Sequence, residues 1–296
     1  METADLLKKV RKIEIKTRGL SGNIFAGEYH SAFKGRGMTF SEVREYQPGD
    51  DVRSIDWNVT ARFNAPFVKV FEEERELTVM LIIDVSASEA FGTQSKFKKD
   101  LIAELSAVLS FAASINNDKI GAMFFGNKVE KFIPPKKGRT HILRIIREIL
   151  EFTPGNSGTN ISEALVYLTG ALKKRCTTFI LSDFMDFDEN NMPQFEQALK
   201  IASKKHDVVA LRIYDRREKE LPPVGLVEMY DAETGQTILV NTGRKKNRIA
   251  YSKWWNAYSD NLNKTFSKYR VDSVGIATDD DYIKPLVKLF KKRGTL

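Results

Sequence analysis

The chain has 296 residues, enough for folding to remove roughly three quarters of the unfolded surface from water, and one large domain or two smaller ones both fit that length. Hydrophobic residues at 42% and charged residues at 29% exclude disorder; no apolar run approaches the roughly 18 residues of a membrane helix, and METADLLKKVRKIEIKTRGL carries both signs of charge where a signal peptide needs an unbroken apolar stretch, so a cytoplasmic protein is expected. The single cysteine, Cys176, excludes a disulfide framework and a cysteine-built zinc site, and the net charge of +8 favours acidic partners or nucleic-acid or membrane surfaces without bearing on the fold.

Residues 1–76 open with a predicted helix and continue as short polar pieces, GEYHSAFKGRGMTFSEVREYQPGDDVRSIDWNVTARFNAP, with no sustained helical period. They are expected to pack on the main domain. Within them Asp50, Asp51, Arg53, Asp56, Trp57 and Arg62 crowd into 13 residues. The structural reading makes Pro48-Gly49 a turn, Asp56 the cap of a short helix, the acids and arginines mutual partners, and Trp57 a buried side chain. The functional reading makes the same block a partner surface or a cover over a binding rim.

From residue 77 onward short apolar runs alternate with longer helical ones, which predicts a mostly parallel sheet with helices on both faces. TVMLIIDV, starting at Thr78, is apolar on both faces, as a central parallel strand should be. KFKKDLIAELSAVLSFAASI follows as a well-buried helix with Leu101, Leu105, Val108, Leu109 and Ala112 on one stripe. KIGAMFFG and KVEKFIPP flank a Gly126-Asn127 turn and predict an antiparallel hairpin. Helices HILRIIREIL and ISEALVYLTGAL, strand TTFILSD, helix NMPQFEQALKIA and strand DVVALRIYD come next, and Cys176 reads as a buried strand thiol rather than a nucleophile. Residues 222–248 predict an inserted β-hairpin followed by a basic loop, before helix IAYSKWWNAYSDNLNKTFSKY, strand VDSVGIAT and helix YIKPLVKLFKKR.

Ligands of open α/β sheets sit at the carboxyl ends of the strands, near the point where strand order reverses. Asp84, Ser86 and Ser88 lie at that end of the first core strand, Asp183 at the same end of TTFILSD, and Thr159 before the helix of GTNISEAL. All five offer oxygen. Hard divalent ions want such a set, and Mg²⁺ suits a site with few carboxylates and several hydroxyls. Neutral hydroxyl ligands leave positive charge on the ion, which recruits an acidic group from a partner. Against this, Ser86 and Ser88 also read as turn caps, and Asn160 with Glu163 forms an N-cap pair that accounts for part of TNISE without a metal. Asp186 and Asp188 stand as substitutes for Asp183, solvated loop acids being their plain alternative.

D-x-S-x-S ending an apolar strand, then G-T-N-I-x-x-A-L, then a strand ending S-D resembles the metal-ion-dependent adhesion site of von Willebrand factor A-type domains, over about 77–214 and onward toward the carboxyl end. The upstream YQPGDDVRSIDWNVTAR with VKVFEEERE resembles more narrowly the bacterial family called domain of unknown function 58. What the resemblance implies is a Rossmann-like sheet, a Mg²⁺ (or Mn²⁺) held by Asp84, Ser86, Ser88, Thr159 and Asp183, and pairing with MoxR-type AAA+ ATPases. The family's biochemical activity is undefined.

The sequence lacks a convincing catalytic constellation. His30, His141 and His206 form no H-E-x-x-H pair, and there is neither a G-x-S-x-G elbow nor a phosphate loop. A Mg²⁺-dependent phosphatase attacking through Asp84 needs D-x-D, and the proton-donor position is Ser86. The basic runs GRKKNR and KLFKKRG suit phosphate contacts but have no interleaved aromatic residues. The expectation is therefore a metal-dependent protein-interaction module, with a hydrolase and a nucleic-acid-binding module as the alternatives.

Overall fold

The computed structural model describes residues 8, 10–15, 17, 27, 29, 32, 39–63, 65–72, 77–86, 97–153, 158–230 and 237–294. The chain divides into two compact units, Lys34–Leu77 and the remainder, Met1–Phe33 with Thr78–Leu296. The expected segment 1–76 is thus split, for a reason visible in its packing. Val10, Ile13 and Tyr29 are buried; the Tyr29 hydroxyl donates to Asp118 at 3.3 Å and its ring meets Phe290 edge-on, so Tyr29 shares the core of the larger unit.

In the smaller unit β1 (Thr39–Glu45) pairs antiparallel with β2 (Phe67–Glu72). Asp56 caps the short helix Trp57–Phe63, accepting from the Asn58 and Val59 N–H groups at 3.0 and 3.3 Å, as expected. The arginine pairing is different from the one anticipated: Asp50 is held by Arg44 of β1 at 2.7 and 2.8 Å, while Asp51 caps a 3₁₀ turn. Trp57 is not buried; it is 67% exposed. Among the residues of this unit whose burial is described, Val68 is the one buried apolar side chain.

The larger unit strings together β3 (Thr78–Asp84), α1 (Lys98–Ile115), β4 (Lys119–Phe125), β5 (Val129–Lys136), α2 (Arg139–Glu151), α3 (Ile161–Ala171), β6 (Thr177–Ser182), α4 (Glu196–Lys205), β7 (Asp207–Tyr214), β8 (Leu226–Tyr230), β9 (Thr237–Asn241), α5 (Lys245–Lys268), β10 (Asp272–Ala277) and α6 (Ile283–Gly294). Six strands form one sheet in the order β10-β7-β6-β3-β4-β5, parallel except for the edge strand β5. β3 and β6 are buried on both faces because helices cover both. Met80, Ile82, Ile180 and Ala210 share a core with α3, α4 and α5; on the other face Phe179 meets Phe290 of α6 and Phe124 stacks on Phe152 after α2. This is the architecture the sequence predicts. The hairpin β8–β9 is also present, but the expected basic loop is not a loop: Lys245 and Lys246 form the first turn of α5, which has no side-chain cap.

Cys176 is buried, and desolvation pushes its thiol up to about 11, away from nucleophilic use. Among the described residues no helix is long and apolar enough to cross a membrane.

One glycine in the sheet is required by close approach. The β4–β5 ladder shifts register between Ile120 and Ala122, and a Cβ on Gly121 would lie 2.8 Å from the Ile133 carbonyl and 3.0 Å from the Pro135 nitrogen. Backbone cannot swing aside as a side chain can. Gly121→Ala should lower stability by about 1–3 kcal/mol in chemical denaturation, whereas Gly170→Ala, in open space on α3, should be neutral or stabilising by up to about 1 kcal/mol.

Candidate metal centre at the switch point of the sheet

The chain runs from β3 outward to β4 and β5, then returns to the other side of β3 with β6 and continues to β7 and β10. Strand order therefore reverses between β3 and β6, where open α/β sheets place their ligands. Ile83 is opposite Leu181 in that parallel pair, so the next residues, Asp84 and Ser182, leave the sheet side by side.

Asp84 is 1% exposed and Asp183 3%. One Asp84 oxygen accepts the Ser86 N–H at 2.9 Å and the other the Ser182 hydroxyl at 2.6 Å. Ser182 in turn accepts from the Phe184 N–H at 2.9 Å. Burial, with the neighbouring Asp183 charge as the second cause, pushes the Asp84 carboxyl up to about 7 against the bonds from Ser182 and Ser86. Asp183 accepts the Met185 N–H at 3.1 Å and, on its other oxygen, the Lys98 ammonium at 2.9 Å. Lys98 is fully buried and reaches a second carboxylate, Glu218, at 2.6 Å. Glu218 is fixed by a capping box in the one-turn helix Arg216–Lys219 after β7, its other oxygen accepting the Asp215 N–H at 2.8 Å.

The other predicted members fall around this pair. Ser86 is buried beside Asp84. Thr159 lies in the loop before α3, and the two residues after it are tied down: Asn160 N–H donates to the Gly126 carbonyl at 2.8 Å, and Ile161 N–H to the Asp186 carboxylate at 2.9 Å. Asn160 caps α3 through Glu163 N–H, as the plain reading had it. Ser88 lies outside the described residues. Asp186 is buried and serves the α3 terminus, while Asp188 accepts from Asn190 and Met192 in its own turn.

Phe184, directly after Asp183, adopts φ +60°. For a bulky side chain this is a strained conformation, costing on the order of 1–3 kcal/mol. The surroundings enforce it: the ring is buried against Phe195 and Phe266, and the Tyr258 hydroxyl donates to the Phe184 carbonyl.

A divalent cation fits this donor set. Asp84 and Asp183 lie out of water with a single ammonium, Lys98, which reaches Asp183 and is shared with the partly exposed Glu218; the Asp84 carboxyl, raised to about 7, would exchange its proton for the ion. Among the described residues no three Asp, Glu, His or Cys side chains gather as a cage. An ion here would rest on two carboxylates and hydroxyls, the combination that suits Mg²⁺.

Three residues that shape the site were not anticipated. Ser182 was signalled only by its place before Asp183. Lys98 sits in KFKKD, where nothing distinguishes it from a solvated lysine, and Glu218 sits in the charged run RREKE. Lys98→Met should destabilise the chain by about 3–5 kcal/mol, read by chemical denaturation, because Asp183 and Glu218 would be left buried without their cation. The raised Asp84 group gives a pH signature. The unfolded chain loses this proton near its ordinary value of 3.8 and the folded chain only near 7, so Asp84 makes stability fall as pH rises between those values. In chelator-containing buffer the stability difference between Asp84→Asn and wild type should move in favour of the variant across that window and be flat above it.

An uncharacterized protein of Mycobacterium tuberculosis is 28% identical to this chain over 295 residues, covering 98% of this chain and 91% of that protein. The uncharacterized protein YeaD of Bacillus subtilis is 26% identical over 131 residues, 44% of this chain and 29% of that protein. Among solved structures, BatB of Bacteroides thetaiotaomicron superposes with a TM-score of 0.49 at 15% identity, over 74% of this chain and 100% of that one. The SpRpn10 VWA domain superposes with a TM-score of 0.41 at 13% identity, over 73% and 95%. The family model described as protein of unknown function DUF58 matches residues 42–260, well over half of the sequence, and the chain belongs to that family.

Proposed function

We propose that the chain is a protein-interaction module whose rim at the carboxyl end of the sheet engages an acidic residue of a protein partner through Mg²⁺ or Mn²⁺. The supporting observation is the pair of carboxylates out of water between β3 and β6, served by one ammonium that reaches Asp183, while burial raises the Asp84 carboxyl to about 7. Asp84, Ser86, Ser88, Thr159 and Asp183 are the residues assigned to the ion. A bound ion held partly by neutral hydroxyls would keep enough positive charge to attract a carboxylate from outside. Ser182 and the Ser86 N–H orient Asp84, and Lys98 orients Asp183. Through the family resemblance, the partner system would include a MoxR-type AAA+ ATPase, and the role would be assembly or maturation of another complex.

The hydrolase reading has less behind it. Both Asp84 oxygens already accept hydrogen bonds, and the position two residues on, where a proton donor is needed, is a serine. The nucleic-acid reading rests on exposed lysines at the start of α5 and the last turn of α6, which as ends of surface helices are ordinarily solvated.

In a thermal-shift titration Mg²⁺ should raise the melting temperature of the full chain once its concentration exceeds the dissociation constant, by the equivalent of about 2.7 kcal/mol at a hundredfold excess. Asp84→Ala and Thr159→Ala should abolish the shift. No shift with Mg²⁺ or Mn²⁺, or an equal shift in Asp84→Ala, sinks the metal reading. Capture of a purified MoxR-type ATPase that EDTA and Asp84→Ala both prevent is the result expected of the partner reading. Turnover of a generic phosphate ester that disappears in Asp84→Ala would favour the hydrolase instead.

A further inference from the structure

Away from the rim, α5 and the β7–β10 end of the sheet border an open cleft of about 290 Å³. Glycine makes the space. Gly275 of β10 is the register partner of Arg212 on β7, and a Cβ at that position would lie 3.3 Å from the Tyr214 ring. The lining includes two cations, Arg212 and Lys219, with the amides of Asn256 and Asn263 and the hydroxyls of Ser259 and Ser273, and no acid.

Arg212 is the unusual member. Its guanidinium carbon lies 4.6 Å from the Trp255 ring centre and 5.0 Å from that of Tyr258, and its Nη1 donates to Ser259 at 2.8 Å. Nε and Nη2 are shielded from solvent and have no acceptor. Among the described residues no carboxylate comes within ion-pair distance of it. Aromatic faces offset part of the desolvation of a cation but do not cancel its charge. A cationic side chain packed in low dielectric beside an acid-free cleft projects a positive field into that cleft, and an anion there gains from the charge without touching the shielded nitrogens. The amides and hydroxyls supply the directional contacts.

We propose that this cleft binds a small organic oxyanion, a molecule carrying a carboxylate or a phosphate monoester. Its volume lies just below the range of about 300–1,000 Å³ typical of ligand pockets, which suits a metabolite-sized molecule. The site is independent of any metal at the rim, yet Lys219 in its wall follows Glu218, the second partner of Lys98, whose carbonyl also accepts the Tyr251 hydroxyl of α5 at 2.6 Å.

The test is thermal shift and calorimetry on the full chain with citrate, inorganic phosphate and AMP as probes. Adenosine serves as the uncharged control, and chloride holds ionic strength constant. At least one oxyanion should raise the melting temperature saturably while adenosine does not; citrate against phosphate and AMP separates the two head groups. Lys219→Gln removes an exposed cation and Gly275→Val fills the floor. Each should weaken binding of the active probe at least tenfold, and the unliganded melting temperature of Lys219→Gln should stay within a few degrees of wild type. No response to any probe, a response matched by chloride, or undiminished binding in both variants overturns the proposal.

Discussion

The parallel pairing of β3 with β6 sets Asp84 beside Ser182 with Asp183 the next residue, both acids out of water, and the Asp183 charge acts on the Asp84 carboxyl unless positive charge is supplied. At an effective dielectric constant of about 20, two unit charges 4 Å apart interact by about 4 kcal/mol, and burying each ion costs several kcal/mol more. Lys98 meets part of this demand, at the expense of burying its own charge, and it is shared with Glu218. A single ammonium among three carboxylates leaves Asp84 without a cation of its own, and its carboxyl is raised to about 7. That unpaired acid distinguishes the switch point from an ordinary buried ion pair.

The groups around this charge are held both by distant parts of the fold and by their own turns. Asp186 joins the start of α3 to the turn after β6, Glu218 is locked in its capping box, and the strained turn at Phe184 is kept by the Tyr258 hydroxyl and a cluster of aromatic rings. Each carboxylate thus has its direction set before any ligand arrives. Such pre-organisation reduces the ordering that binding would require, and it suits a recognition rim better than a mobile loop would. The same helix, α5, contributes Tyr258 to the Phe184 turn and Trp255 to the cleft beside Arg212. One element therefore frames both places where charge is left unbalanced.

Much of this was legible in the chain. The run from Val79 to Ile83, apolar on both faces, can only be a covered central strand, and the alternation of such runs with amphipathic stretches leads to a parallel sheet flanked by helices. Asp56 as a cap, the Gly126-Asn127 hairpin and the acid ending each of two core strands follow from local chemistry in the same way. Errors came where a side chain's fate depends on distant residues. Trp57 was expected in a core and stands exposed, and Lys245 and Lys246 were expected in a loop that the long helix α5 absorbs against the preference of its positive dipole end.

By itself the sequence determined the alternation of strands and helices, the candidate oxygen donors and their order along the chain, because periodicity and capping act over a few residues. Only the tertiary structure decided which of those donors meet. Register set Ser182 against Asp84, the path of α1 drove Lys98 inward onto Asp183, and the turn after β7 delivered Glu218 to the same ammonium. A lysine in KFKKD carries no local mark of burial; its role arises because a buried carboxylate 85 positions away makes the low-dielectric interior the place where its charge is worth most.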